Sequence, residues 1–355
     1  MRYQNVCVES FAYTLPEQIV TSAEIEQWLQ PLYQRLRLPE GRLELMTGIA
    51  QRRFWPAGTL PSQQSAATAE KAIIASGVDR RHIGALVHGS VCRDLLEPAT
   101  ACRVHKQLGL SDRCIVYDVS NACLGLLNAM LQIANMIELE QIAAGLVVGT
   151  ESSRGLVEAT VEQLNTHSTL SRGQIKLAMA SLTIGSGSAA ILLVHSSLSR
   201  TGNRLLGGVV RCNSAACHLS EGGHEDHAQG PFRPLMYTDS ETLLHEGVAL
   251  AELTFADFLD ELGWRLSDVH KTFCHQVGRA HQKLLLERLN LDPTVDYSTY
   301  PWLGNTGSVA LPITAAIGIE NGHVQPGDNV ALMGIGSGIS TIMLGINWGG
   351  RHPAV

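Results

Sequence analysis

The residues able to do chemistry in this 355-residue chain fall in three short stretches. The first, Asp118-Val119-Ser120-Asn121-Ala122-Cys123-Leu124-Gly125, passes from an apolar run through small residues into a helical pattern. A thiol at a helix start lies in the positive end of the macrodipole, which draws its pKa from about 8.5 toward neutrality and makes it a nucleophile. In the second, Cys274-His275-Gln276-Val277-Gly278-Arg279-Ala280-His281, His275 closes a short apolar strand. A neutral imidazole there can accept a proton or donate to a carbonyl. The third, Gly304-Asn305-Thr306-Gly307-Ser308, sets a side-chain amide in a glycine turn before a helix expected over 309–318. Each has a plainer reading by itself: a free thiol packed as a small hydrophobe, a structural histidine, an ordinary helix cap. His281 and the seven other cysteines read as structural.

Positioning these groups requires a layered framework. Continuous apolar runs at 84–87, 114–117, 144–148 and 189–194 read as strands buried on both faces, and helical spacing recurs over 62–76 and 124–137. The class is α/β. The second half echoes the first: His88, Asn121 and Val147 have counterparts in His275, Asn305 and Ala331, at separations of 187, 184 and 184 residues. Near-constant offsets indicate a duplication with halves at 1–185, carrying the cysteine and an inserted loop region, and 186–355, carrying the histidine and asparagine. Two such halves related by a pseudo-twofold bring equivalent strand ends and helix starts together in one central cleft. Residues 156–182 and the Gly/His-rich 212–230 read as long loops that cap the site or mediate assembly.

Composition narrows the function classes. Hydrophobic residues make up 45% and charged residues 17%, enough to build a core and too apolar for a disordered chain. A net charge of -7 without a basic patch argues against nucleic acid as a partner. No apolar run reaches the roughly 18 residues of a membrane span, and the first residues lack a secretory pattern, so a cytoplasmic location with reduced cysteines is expected. Cys212, Cys217 and His218, with His224 and His227 nearby, match no strong zinc spacing and read as loop residues, so no metal is expected.

Taken together, Asp-Val-x-x-Ala-Cys-x-Gly, His-Gln, Gly-Asn-Thr-Gly-Ser and the late Gly334-Ile335-Gly336-Ser337-Gly338 resemble the thiolase superfamily, in its β-ketoacyl-acyl carrier protein synthase III branch, along essentially the whole chain. Thr47-Gly48-Ile49 with Arg52 and Arg53 is also similar to that branch. The resemblance implies a duplicated five-layered αβαβα thiolase fold and a homodimer. It implies an acyltransferase in which Cys123 takes an acyl group from coenzyme A, while His275 and Asn305 polarise the second thioester carbonyl. Backbone N–H groups of Cys123 and Ser337 would form the oxyanion hole. No metal, flavin or nucleotide redox cofactor is implied, because the thioesters themselves activate the carbon centres.

Two departures refine the expectation. His275-Gln276-Val277-Gly278 replaces the His-Gln-Ala-Asn of the synthases that initiate fatty-acid synthesis, and Arg42 and Met46 stand where those enzymes hold the adenine of coenzyme A with Trp and Arg. The stretch Val91-Cys92-Arg93-Asp94-Leu95-Leu96-Glu97-Pro98 instead resembles the olefin-biosynthesis thiolases, which join two acyl-CoAs. In them the glutamate matching Glu97 reaches across the dimer and removes an α-proton, a base that decarboxylative condensation does not need; the plainer reading of Glu97 is a solvated loop carboxylate before Pro98 or a cap of the following helix. The leading expectation is Claisen condensation of a medium or long acyl group on Cys123 with a second acyl-CoA. The alternatives are decarboxylative condensation with malonyl-acyl carrier protein, a Cys-His-Asn thioester hydrolase, and a non-catalytic partner subunit.

Overall fold

The computed structural model describes residues 1–224 and 234–349. Nine strands are hydrogen-bonded into one sheet: β1 (Val6–Thr14), β2 (Ile83–His88), β3 (Ile115–Asp118), β4 (Ala144–Glu151), β5 (Gly187–His195), β6 (Arg204–Cys212), β7 (Lys271–Cys274), β8 (Asn329–Gly336) and β9 (Ser340–Asn347), in the order β7-β8-β9-β6-β1-β5-β4-β2-β3. The join between β1 and β6 is a single residue pair, Cys7 with Arg204, so the sheet is two sets of strands meeting at a narrow seam. Each set repeats one plan. β2 lies parallel to β4, which runs antiparallel to β5, as β7 lies parallel to β8, which runs antiparallel to β9. The edge strand β3 of the first set is matched in the second by an isolated parallel bridge between Thr272 and Asp296. β5 pairs along β1 and β4, so the strand that completes the first set lies on the C-terminal side of the 185/186 boundary drawn from sequence.

Strand alternation explains how one sheet holds several layers. Val147 of β4 faces a core that contains helix α3 (Gly125–Glu138), helix α6 (Ala310–Glu320) and strands of both sets. Its neighbours Leu146 and Val148 face the opposite way, onto helices α1 (Pro61–Ser76) and α2 (Thr100–Leu108). Helices α4 (Ser240–Leu262) and α5 (Arg279–Leu289) cover the outer face of the second set. The result is the five-layered αβαβα thiolase fold. α6 is apolar on every side because, in the middle layer, it has no solvent face; residues 310–318 are all buried. The expected helices over 62–76, 124–137 and 309–318 correspond to α1, α3 and α6.

The segments expected as long loops are more ordered than their composition suggested. Residues 156–182 contain helices Arg154–Thr166 and Arg172–Ala178, whose Val157, Val161, Leu164 and Ile175 pack with Val20, Ile25, Leu29 and Leu32 in a cluster of their own. Their apolar residues had no partner visible nearby in sequence, since the partners lie more than 100 residues upstream. Residues 214–219 form a short 3-10 helix, strand Ser220–His224 pairs with Pro234–Thr238, and residues 225–230 of that stretch, His227 included, lie outside the described residues.

Candidate active site

The sulfur-bearing turn is held by backbone geometry. Between β3 and α3 the chain doubles back at Ala122, whose φ of 44° is a conformation non-glycine residues rarely adopt. Leu124 N–H donates to Asn121 O at 2.8 Å and closes the turn. Gly125 is required at the next position: a Cβ there would stand 2.4 Å from the carbonyl oxygen of Gly89. Cys123 therefore sits at the start of α3 with the helix end pressed against the loop after β2. From the other half, a Cβ on Gly336 would lie 3.6 Å from the backbone nitrogen of Cys123, which puts the turn containing Ser337 beside the Cys123 amide.

Contrary to the expectation of a lowered thiol pKa, burial pushes Cys123 up to about 12, and the charge of Glu151 adds to the rise. A backbone N–H bond works in the other direction without offsetting them. The dipole at a helix end contributes at most a couple of kcal/mol, whereas desolvation of a buried anion moves a pKa by several units. The resting group is a neutral thiol.

His275 follows β7, and its N–H donates to Met333 O of β8 at 3.0 Å. The residue after Met333, Gly334, leaves no room for a Cβ beside Leu124 and Leu127, so β8, which neighbours the strand end carrying His275, abuts the start of α3 just after Cys123. Burial and the nearby His281 depress the His275 pKa to about 3, leaving a neutral imidazole whose ring makes no hydrogen bond among the described residues. His281 is likewise buried and lowered to about 4, with Nδ1 unpartnered. The adjacent Gln276 explains the His-Gln pair. Its Oε1 accepts from Thr299 N (2.8 Å) and Tyr300 N (3.1 Å), and its Nε2 donates to Cys274 O (2.8 Å), tying the β7 end to the segment that leads into Gly304.

Asn305 is clamped on both sides. Its N–H donates to Thr183 O at 3.0 Å, its carbonyl accepts from Gly185 N at 2.8 Å, and its Oδ1 accepts from Gly307 N at 2.9 Å. Among the described residues the side-chain nitrogen has no acceptor. Gly304, at φ 67°, has no room for a Cβ beside Thr183 O, 2.5 Å away. Arg52 of the Thr-Gly-Ile segment is wholly buried alongside, with Nη1 on Ser22 Oγ at 3.1 Å.

Sequence reasoning missed Glu151, the last residue of β4 and 5% exposed. Its carboxylate accepts from Val91 N (3.0 Å), Cys92 N (3.1 Å), Ser308 N (3.3 Å) and Ser308 Oγ (2.5 Å). A carboxylate ending a fully buried run was the available signal. Glu97, by contrast, is not gathered with Cys123, His275 and Asn305 within one chain. It stands exposed on the loop after β2, beside Leu96, which is 90% exposed. That loop is fixed at both ends: the buried Asp94 carboxylate accepts from Ser62 N, Ser62 Oγ and Arg103, while Asp118 accepts from Thr100 N and Ala101 N at the start of α2. Arg42 and Met46 lie exposed on helix Arg42–Thr47. Cys212 and Cys217 are exposed, and no group of His, Cys, Asp and Glu suited to a metal occurs among the described residues. Among the same residues no helix is long and apolar enough to cross a membrane.

Comparison with known proteins adds three findings. The family described as 3-oxoacyl-[acyl-carrier-protein] synthase III C terminal matches residues 259–348. The acyl-CoA:acyl-CoA alkyltransferase of Shewanella oneidensis is 43% identical, covering 98% of this chain and all of the relative, whereas a β-ketoacyl-[acyl-carrier-protein] synthase III of Pseudomonas aeruginosa is 24% identical over 85% of this chain and 86% of its own. The crystal structure of a cysteine-to-serine variant of Xanthomonas campestris OleA, with bound lauric acid and lauroyl-CoA, superposes with a TM-score of 0.90 at 34% identity, covering 98% of this chain and 100% of that one.

Proposed function

Since the chain belongs to the acyl-CoA:acyl-CoA alkyltransferase family of synthase III-like condensing enzymes, we propose that it joins two medium- or long-chain acyl-CoAs by Claisen condensation, working as a cytoplasmic homodimer. The full-length likeness to the Shewanella enzyme carries this reading, and the site supplies a residue for each step. Cys123 Sγ attacks the carbonyl of the first acyl-CoA, the bond to the coenzyme A sulfur breaks, and the thiol proton leaves on coenzyme A. The second acyl-CoA gives its α-proton to Glu97 of a second copy, and neutral His275 with the Asn305 amide donate to the enolate oxygen. The α-carbon attacks the Cys123 thioester while the backbone N–H groups of Cys123 and Ser337 face the tetrahedral oxyanion. Collapse expels the Cys123 thiolate, which recovers a proton, and the products are a β-ketoacyl-CoA and coenzyme A. No metal or redox cofactor takes part, and acyl carrier protein is not required.

The test is incubation of purified protein with myristoyl-CoA alone, followed by mass spectrometry for a 28-carbon β-keto product or the ketone it forms on losing carbon dioxide. Product that appears only when malonyl-acyl carrier protein is supplied would replace this reading with decarboxylative condensation.

A further inference from the structure

Two segments distant in sequence meet on one buried side chain. Glu151 accepts two N–H groups from the start of the loop that presents Glu97, and an N–H and a hydroxyl from Ser308, three residues beyond Asn305. Gly307 lies so close that a Cβ there would stand 3.2 Å from the carboxyl carbon. Trp55 Nε1 donates to the Glu151 carbonyl at 3.0 Å, fixing the β4 end against a further segment. A neutral residue could close these gaps with packing. A buried carboxylate instead needs several donors to hold it, and charge-assisted bonds are about twice as strong as neutral ones.

We propose that Glu151 is a positioning residue: its carboxylate holds the start of the Glu97 loop and the turn after Asn305 at a fixed spacing on the end of β4. The inference rests on the condensation read above for the roles of Glu97 and Asn305, but the action of the Glu151 charge on Cys123 does not depend on the second substrate. Two groups facing this carboxylate respond to it in the same sense. Cys123 from the turn before α3 and Cys92 from the loop after β2 both have thiol pKa values raised, first by burial and then by Glu151. With the Cys123 backbone N–H, which lowers the value, Glu151 completes the set of groups acting on that sulfur.

The experiment compares Glu151→Gln, Glu151→Asp and Ser308→Ala in the full-length protein by two readouts: the pH profile of iodoacetamide alkylation at Cys123, followed by peptide mass spectrometry, and the ratio of condensation to Cys123 acylation with radiolabelled myristoyl-CoA. Glu151→Gln removes the charge, so its alkylation midpoint moves down by about one pH unit or more, roughly tenfold faster labelling at a fixed pH below the midpoint. Glu151→Asp keeps the charge on a shorter arm and Ser308→Ala removes one donor. Both retain the wild-type alkylation profile while condensation falls about tenfold relative to acylation. A Gln variant with unchanged profile and unchanged ratio overturns the proposal. So does a Ser308→Ala profile displaced as far as that of the Gln variant, which would trace the effect to general loosening of the site. If wild-type protein forms no product from acyl-CoA alone, the condensation reading fails, while the alkylation profiles still decide the action of Glu151 on Cys123.

Discussion

The acidity of single groups sets the working state of this site. A thiol raised to about 12 and an imidazole lowered to about 3 are both neutral at physiological pH, so the resting pair carries no charge for water to stabilise. A neutral His275 can donate or accept a hydrogen bond but carries no charge. Glu97 differs from both in standing at the surface. Replacing it by alanine should spare transfer of the acyl group to Cys123 and abolish the β-keto product, which radiolabelling of the protein and product analysis measure separately. Undiminished product from Glu97→Ala would remove that carboxylate from the mechanism.

Elements place these residues through close backbone approaches that only small residues allow. The start of α3 meets the loop after β2 at Gly125 and Gly89, two glycines from different segments in mutual contact. Gly125→Ala would drive a methyl group against a carbonyl and push the helix start, with Cys123, away from the strand ends. Overpacking of this kind costs about 1–3 kcal/mol. The melting temperature should fall, and acylation of Cys123 should fall by more than the loss of folded protein explains. Acylation at wild-type rate would show that the turn tolerates displacement. The Gln276 bridge acts likewise in the other half, since without it β7 and the segment before Gly304 share no side-chain acceptor for Thr299 and Tyr300.

The molecule as a whole couples this architecture to pH. His88, His275 and His281 are all buried, with pKa values lowered to about 4, 3 and 4 mainly by desolvation. Each folded-state value lies below the unfolded value of about 6.5, so between about pH 6.5 and 4 the unfolded chain binds protons that the folded one refuses. Stability present above pH 6.5 is therefore lost on acidification, by roughly 1.4 kcal/mol per pH unit for each histidine. Thermal melts from pH 7.5 to 5 should show a steep decline, and His281→Gln should flatten it; a melting temperature independent of pH over that range would contradict the burial argument. The residue types, the duplication and the α/β alternation were legible in the sequence because periodicity and spacing are properties of the linear chain. Cys123, His275 and Asn305 could be picked out for the same reason, as motifs at repeated intervals. The order in residues 156–182 was not legible, because its apolar partners come from the N-terminal helices. Nor was the acidity of Cys123 or the part played by Glu151. Desolvation depends on every atom that replaces water around a group, and the donors on Glu151 arrive from segments about 60 residues before it and 157 after it, so only the folded arrangement could decide either.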